Sequence, residues 1–335
     1  MAAIKDVARV AGVSTASVSR VLSNHPSVSE ELVLKVRAAA EALDFRPNAL
    51  GRSLRRTGTN TIGLVVSDIL NPFFTELARA VEDAARGAGY SMILGNADED
   101  PEQQDHYVEI LLGRQVDGLI VVPTTERSPL LHEAARLNRA LVLVDRPVED
   151  VDAPLVATNV GPALDALVHH LAATGRRDMA MLAGPERAGT SRLRLDAFRA
   201  ALAGHGLPLP EHRILHGDFR EKSGRELMTQ LLETNDMPDA LVFANAPMAI
   251  GALEACASHP APPRVPHDLA LAAVDDLPTF RLLQPSITAV AQPTTELGHR
   301  AVAMLFARMR GEEVASEHLD STLILRSSTD PRRTT

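Results

Sequence analysis

The sequence predicts an α/β protein: an N-terminal three-helix helix-turn-helix head and a hinge helix, followed by two doubly wound parallel-sheet lobes. Three observations predict it. Residues 1–60 carry nine Lys/Arg against five acids, a net of +4, while the rest of the 335-residue chain carries −13. The opening residues show short helical stripes split by a glycine turn, and from Thr61 onward short apolar runs alternate with longer amphipathic ones. A basic head on an acidic body points to nucleic acid as the partner of the head.

In the head, Ile4, Val7, Ala8 and Ala11 recur at helical spacing, and Gly12-Val13 ends that helix in a tight turn. Ser14 caps a second helix, Thr15 to Leu22, whose Val18, Val21 and Leu22 face inward. Ser29, followed by Glu30 and Glu31, starts a third helix running to about Leu43 on a stripe of Leu32, Val36, Ala39, Ala40 and Leu43. Two short helices joined by such a turn form a helix-turn-helix, whose second helix lies in the DNA major groove. A plain three-helix bundle has the same pattern. Thr15, Ala16 and Arg20 fall opposite the apolar face. Arg20 can donate a bidentate pair to guanine, Thr15 can meet a base edge or phosphate, and Ala16 can touch a thymine methyl.

The stretch Arg46 to Asn60 separates head from body. Pro47 suits a first helical position and the residues after it can continue a helix, but Gly51 interrupts the run. Helices shorter than ~12–15 residues are marginal without packing, so this one forms only when something holds it. Leu54 among Arg52, Arg55 and Arg56 is an apolar wedge in positive charge, a combination that suits a minor groove. The alternative is a solvated linker whose leucine packs on the body.

In the body the strand candidates are Thr61–Val66, Ser91–Gly95, Gly118–Val122, Leu141–Asp145, Met179–Ala183, Ile214–His216, Ala240–Ala244, Leu269–Val274 and Ile287–Ala291, with helices such as Phe74–Ala88 between them. This alternation implies parallel sheets with helices on both faces, and the length implies two similar lobes with a crevice between. Ligands of such sheets bind at the carboxyl ends of the strands. The polar and aromatic residues there are Asn71, Phe73, Phe74, Asp145, Arg146, Arg194, Phe219, Asn245, Asp275 and Gln292. Aromatic faces cover the C–H face of a sugar ring, while Asp, Asn, Arg and Gln hydrogen-bond its hydroxyls. Taken singly, these have plainer roles: Asn71-Pro72 a turn, Phe73 and Phe74 core, Asp145-Arg146 a surface ion pair, Asp275 or Asp276 a helix cap.

Other classes find no support. No run of ~18 apolar residues occurs, and Lys5, Asp6 and Arg9 stand where a signal peptide needs an apolar core, so a cytoplasmic protein is expected, nucleoid-associated when on DNA. Cys256 stands alone, with no zinc spacing, and no catalytic residues, metal or cofactor are assigned. Gly87-x-Gly89 follows a helix, and the acidic run at residues 98–102 is expected to start a helix and not to hold a metal. His169 and His170 are expected to be solvated or packed, and the residues after Arg326 to be disordered.

The run from Ile4 to Val66, IKDVARVAGVSTASVSRVLSNHPSVSEELVLKVRAAAEALDFRPNALGRSLRRTGTNTIGLVV, resembles the head and hinge of the lactose-repressor (LacI/GalR) family without a gap, and the similarity continues through nearly the whole chain. The body also resembles periplasmic ribose-type sugar-binding proteins. The resemblance implies Thr15, Ala16, Ser17 and Arg20 in the head, and Asn48, Arg52, Leu54 and Arg55 in the hinge, as DNA-binding residues, with Leu54 entering the minor groove at the operator centre. All ten crevice residues match positions that contact the sugar in those proteins. Gly51 departs from the usual hinge alanine, Ala246 and Pro247 replace the Asp-x that usually follows Asn245, and Ala188 stands where purine-binding relatives use an arginine. The expected boundaries are 1–46 for the head, 47–60 for the hinge, 61–160 with 293–321 for the N-terminal lobe, and 161–292 with 322–335 for the C-terminal lobe. The expected function is a transcriptional repressor, a homodimer on a palindromic double-stranded DNA operator, released by a small-molecule sugar effector and making no membrane contact. A sugar acid, sugar phosphate or purine acting as co-repressor is the runner-up. A sugar-transport receptor has no use for residues 1–60, and an enzyme needs a nucleophile–base pair that the sequence does not display.

Overall fold

The structure is a computed structural model that describes residues 3–22, 28–45, 58–137, 139–186, 188–234 and 236–330. The chain divides into two compact units, residues 1–59 and 60–335.

The first unit contains α1 (Ile4–Ala11), α2 (Thr15–Leu22) and α3 (Glu30–Ala42). Gly12 takes φ 67° and ends α1, a left-handed position that costs glycine little. Ser14 Oγ accepts from the Ser17 N–H at 3.1 Å at the start of α2, and Ser29 Oγ accepts from the Leu32 N–H at 3.4 Å at the start of α3. Val7, Ala8, Val18, Val21, Val36 and Ala39 form the buried core, ringed by half-buried Leu22, Leu32, Ala40 and Leu43. The expected boundaries of all three helices fall within a residue of those observed. The hinge residues Asn48, Gly51, Arg52, Leu54 and Arg55 lie outside the described residues.

The second unit holds two six-stranded sheets. Its elements are β1 (Thr61–Val66), α4 (Pro72–Gly87), β2 (Ser91–Asn96), α5 (Pro101–Gly113), β3 (Gly118–Val121), α6 (Pro129–Arg136), β4 (Leu141–Val144), β5 (Leu155–Asn159), α7 (Gly161–Ala173), β6 (Met179–Ala183), α8 (Gly189–Gly204), β7 (Ile214–His216), α9 (Glu221–Leu232), β8 (Ala240–Phe243), α10 (Ala246–Ser258), β9 (Ala270–Val274), β10 (Thr288–Ala291), α11 (Thr294–Met309), β11 (Glu317–Asp320) and β12 (Thr322–Ile324). The first sheet runs β11-β5-β4-β3-β1-β2 and is parallel throughout; the second runs β12-β10-β9-β8-β6-β7, with only β12 antiparallel. Successive strand residues point to opposite faces. Leu64, Ile120 and Val142 therefore join the core under α4 and α11, while Val65, Val121 and Leu143 join the core under α5 and α6. The second sheet divides likewise between α7 with α8 and α9 with α10. Helices α9 and α10 pack so closely that a Cβ on Gly251 would stand 1.8 Å from the Glu221 carbonyl oxygen, a position only glycine fits.

Three strands escaped the sequence reading. β5 is the short LVATN behind a Pro/Asp-rich stretch, and β11 and β12 are sheet edges whose residues are mostly exposed or half-buried. Pairing defines them, because their composition carries little apolar periodicity. The expectation of disorder after Arg326 fails for residues 327–330. Ser328 and Thr329 are fully buried, the Leu271 N–H donates to the Ser328 carbonyl at 3.0 Å, and the Ser328 hydroxyl donates to the Leu271 carbonyl at 2.6 Å. Small hydroxyls that replace ladder partners look like loop residues in sequence. His170 is half-buried with Nε2 3.1 Å from Thr329 Oγ1, whereas His169 is exposed, its ring beside that of His205. No helix among the described residues is long and apolar enough to cross a membrane.

Candidate functional site

In the head, Thr15, Ala16 and Arg20 occupy the exposed side of α2, opposite Val18 and Val21. Ser17 is half-buried, its hydroxyl 2.9 Å from that of Ser14, so it also serves the cap.

In the body, a crevice is lined by Asn71, Phe73, Phe74, Glu99, Asp145, Arg146, Thr190, Arg194, Phe219, Asn245 and Asp275. Nine of the ten residues predicted from sequence are among them; Gln292 is not, and touches the site indirectly by donating from Nε2 to Asp275 Oδ1 at 2.5 Å. The elements explain the convergence. Asn71 caps α4 after β1, its Oδ1 accepting from the Phe73 N–H at 3.1 Å, which aims the edge-to-face pair Phe73 and Phe74 inward. Asn245 caps α10 after β8, its Oδ1 accepting from the Met248 N–H at 3.1 Å while its Nδ2 donates to the Phe219 carbonyl at 2.7 Å. The capping role and the crevice role thus coexist in one residue.

Backbone conformation marks the same place. Asp145 (φ 67°), Phe219 (φ 68°) and Asp275 (φ 72°) each follow a strand in the left-handed region, as do Asp98 (φ 53°) and Glu99 (φ 56°) after β2. For a bulky residue such as Phe219 this is a costly conformation, of the kind that clusters where side chains must be aimed.

Two residues that sequence reasoning missed complete the lining. Thr190 lies in the first turn of α8, where a lone threonine carried no signal. Glu99 belonged to the acidic run, which the structure divides: Asp100 caps α5 through the Glu102 N–H at 2.9 Å, Asp98 accepts from Arg220 at 2.8 Å, and Glu99 turns into the crevice. There Arg146 donates from Nη1 to Glu99 Oε2 and from Nη2 to Glu99 Oε1, both at 2.7 Å, and again from Nη1 to the Pro123 carbonyl at 3.2 Å. Burial alone would lower the Arg146 pKa, but the hydrogen bonds and charge of Glu99, then Asp145, outweigh it and hold it above the ordinary value. Asp275 is pushed the other way: burial lifts its carboxyl above the usual range, against the opposing pull of Arg194 and the Gln292 hydrogen bond. Arg194 donates from Nη1 to the Ala244 carbonyl at 2.7 Å. Among the buried side-chain polar atoms of the described residues that have no hydrogen-bond partner are Arg146 Nε in the crevice and Gln292 Oε1 beside it. Asp145 Oδ2 lies 3.6 Å from that Nε, too far for a hydrogen bond.

Two ion pairs cross the mouth from lobe to lobe, Arg220 to Asp98 and Arg192 to Glu126. Among the described residues no cluster of three or more His, Cys, Asp or Glu could hold a metal ion.

Residues 3–48 match the model of bacterial regulatory proteins of the lacI family, and residues 168–329 match a periplasmic binding protein-like domain. The ribose operon repressor of Escherichia coli K12 is 35% identical over 97% of this chain and 98% of its own length. The transcriptional repressor CytR of the same organism is 31% identical over 98% and 96%. Among solved structures, the lac repressor dimer bound to operator and an anti-inducer superposes with a TM-score of 0.83 at 28% identity, covering 98% of this chain and 99% of that one. A putative ribose operon repressor from Burkholderia thailandensis gives a TM-score of 0.72 at 31% identity over 79% and 98%. These relatives are repressors and not enzymes; with a DNA-reading head and a two-lobed body matched along nearly its whole length, the chain is a DNA-binding transcriptional regulator and belongs to the lacI family.

Proposed function

We propose that this regulator is a repressor whose crevice binds a small sugar, and that lobe closure around the sugar lowers its affinity for operator DNA. The observation that carries the reading is the convergence of three phenylalanines with Asn, Asp and Arg side chains on one crevice, where the buried Arg146 Nε has no hydrogen-bond partner. A ring with hydroxyls on its edge and C–H bonds on its faces satisfies both kinds of surface. Similarity to a ribose operon repressor supports a pentose or hexose as effector.

Thr15, Ala16, Ser17 and Arg20 read bases or phosphates, and Asn48, Arg52, Leu54 and Arg55 engage the minor groove through the hinge. Residues 1–46 then serve as reader, 47–60 as coupler, and the two lobes as sensor. A homodimer on a palindromic site, working in the cytoplasm on chromosomal DNA, follows from two-fold symmetry and from likeness to the lac repressor dimer. Coupling is linkage: the sugar shifts operator affinity only by its differential affinity for the two lobe arrangements.

A thermal-shift screen of pentoses, hexoses, sugar acids, sugar phosphates and purines finds the effector, because a ligand of the folded state raises its melting temperature. The hit is then titrated into the protein bound to operator, followed by fluorescence anisotropy. Release is expected; tighter operator binding would reverse the proposed sign, and purine binding without any sugar binding would overturn the effector class.

A further inference from the structure

We propose that Glu99 is a specificity determinant of the crevice: it fills the end-on fork of Arg146 and adds a carboxylate to those of Asp145 and Asp275, and so restricts the effector to uncharged sugars, excluding sugar acids and sugar phosphates. The inference rests on the sugar reading of the crevice and names the class of sugar.

Arg146 has five N–H donors. Three are committed, to Glu99 Oε2, Glu99 Oε1 and the Pro123 carbonyl, which leaves Nε and one Nη2 hydrogen for a ligand. The end-on fork, Nη1 with Nη2, is already filled by a carboxylate, and the side-on edge, Nε with Nη2, has Asp145 Oδ2 3.6 Å from its Nε. Lone N–H groups on its edge remain good donors to hydroxyl oxygens. The balance of formal charge agrees, since Glu99, Asp145 and Asp275 line the crevice against only Arg146 and Arg194. By that formal count an anion entering there meets one negative charge in excess, and the Arg146 edge left to it lies beside the Asp145 carboxylate.

Glu99 is also held in place by its surroundings. It follows Asp98 in a second consecutive left-handed position, its N–H donates to the Ser67 carbonyl at 2.7 Å, and its neighbour Asp100 is pinned as the cap of α5. Its side chain keeps 21% of its exposure while that of Arg146 keeps 7%, so the pair sits where water screens it incompletely.

The test uses the full-length protein and two matched sets, ribose with ribonate and ribose 5-phosphate, and glucose with gluconate and glucose 6-phosphate, measured by calorimetry and thermal shift against wild type, Glu99→Gln and Glu99→Asp. Wild type is expected to bind a neutral member at least about tenfold more tightly than its anionic counterparts, and Glu99→Gln to narrow that ratio by about tenfold or more, the order expected for removing one charge a few ångströms away. Glu99→Asp keeps the charge and should keep the exclusion. Wild type binding an anion as tightly as its neutral partner overturns the proposal, whether or not the variants fold, and so does a ratio unchanged in Glu99→Gln. If neither protein binds a neutral sugar but Glu99→Gln gains an anion, the sugar reading falls and the exclusion by Glu99 stands; if Glu99→Gln binds nothing in either set, the exclusion is overturned.

Discussion

Arg146 and Glu99 meet through two parallel hydrogen bonds of 2.7 Å, although 47 residues separate them in the chain. Arg146→Ala leaves the Glu99 carboxylate facing Asp145 and Asp275 without its partner. The expected loss of stability is about 1–3 kcal/mol, less than the ~3–5 kcal/mol of a fully buried pair because Glu99 is partly exposed. Effector binding should be lost while operator binding without effector persists. Urea unfolding and paired anisotropy titrations measure the two; an unchanged dose-response to effector would show that the crevice assignment is mistaken.

Asp275 gives a pH signature. Its folded-state pKa is raised by burial, so the native state takes up the proton before the unfolded chain does. Stability from this residue therefore increases as pH falls through the raised value and declines as pH rises through it. Against Asp275→Asn, the wild-type melting temperature should gain on acidification just above the ordinary carboxylate range. Carboxylates lowered by arginine partners, such as Asp268 and Glu312, weaken both proteins alike on acidification, so the difference between the two curves isolates Asp275. A difference that stays flat with pH would count against the burial argument.

The pairs Arg220–Asp98 and Arg192–Glu126 hold the lobes together across the mouth, with half-exposed arginines. Each is worth about 0.2–1 kcal/mol at most sites of this kind. Arg220→Ala or Arg192→Ala should weaken effector binding by no more than about fivefold, and added salt should mimic the effect. Calorimetric titration at two salt concentrations checks this.

Ser328→Ala removes the hydroxyl that donates to the Leu271 carbonyl and accepts from the Thr288 N–H at 2.8 Å. Leaving a buried backbone donor without a partner costs about 1–3 kcal/mol. The urea midpoint should fall accordingly, with the slope unchanged.

Arg20→Ala should relax operator sequence preference at one base pair, costing about 1–3 kcal/mol, while effector affinity stays as in wild type. Binding to operators substituted base by base reads this directly.

Glycine and capping signals were legible because they act within a few residues. Gly12, Ser14 and Ser29 delimit the head helices where local chemistry places them, and β1, β6 and β7 fall on their apolar runs. Of the nine sequence-predicted residues that line the crevice, all but Arg194, in the second turn of α8, follow a strand or open a helix, positions that sequence order reveals. Glu99 was hidden because an acidic run before a helix is read as a cap, and only the two left-handed residues after β2 separate Glu99 from Asp100. Ser328 was hidden because its partners lie 40 and 57 residues away.

The sequence by itself determined the basic head, the alternation that builds two parallel sheets, and the residue types available at the strand ends, since each depends on charge, periodicity and capping over short spans. Only the tertiary structure decided which of them meet: that Glu99 fills the fork of Arg146, that Gln292 supports Asp275 from outside the crevice, and that β5, β11 and β12 join the sheets. Those outcomes depend on contacts between distant segments, whose energies no local pattern contains.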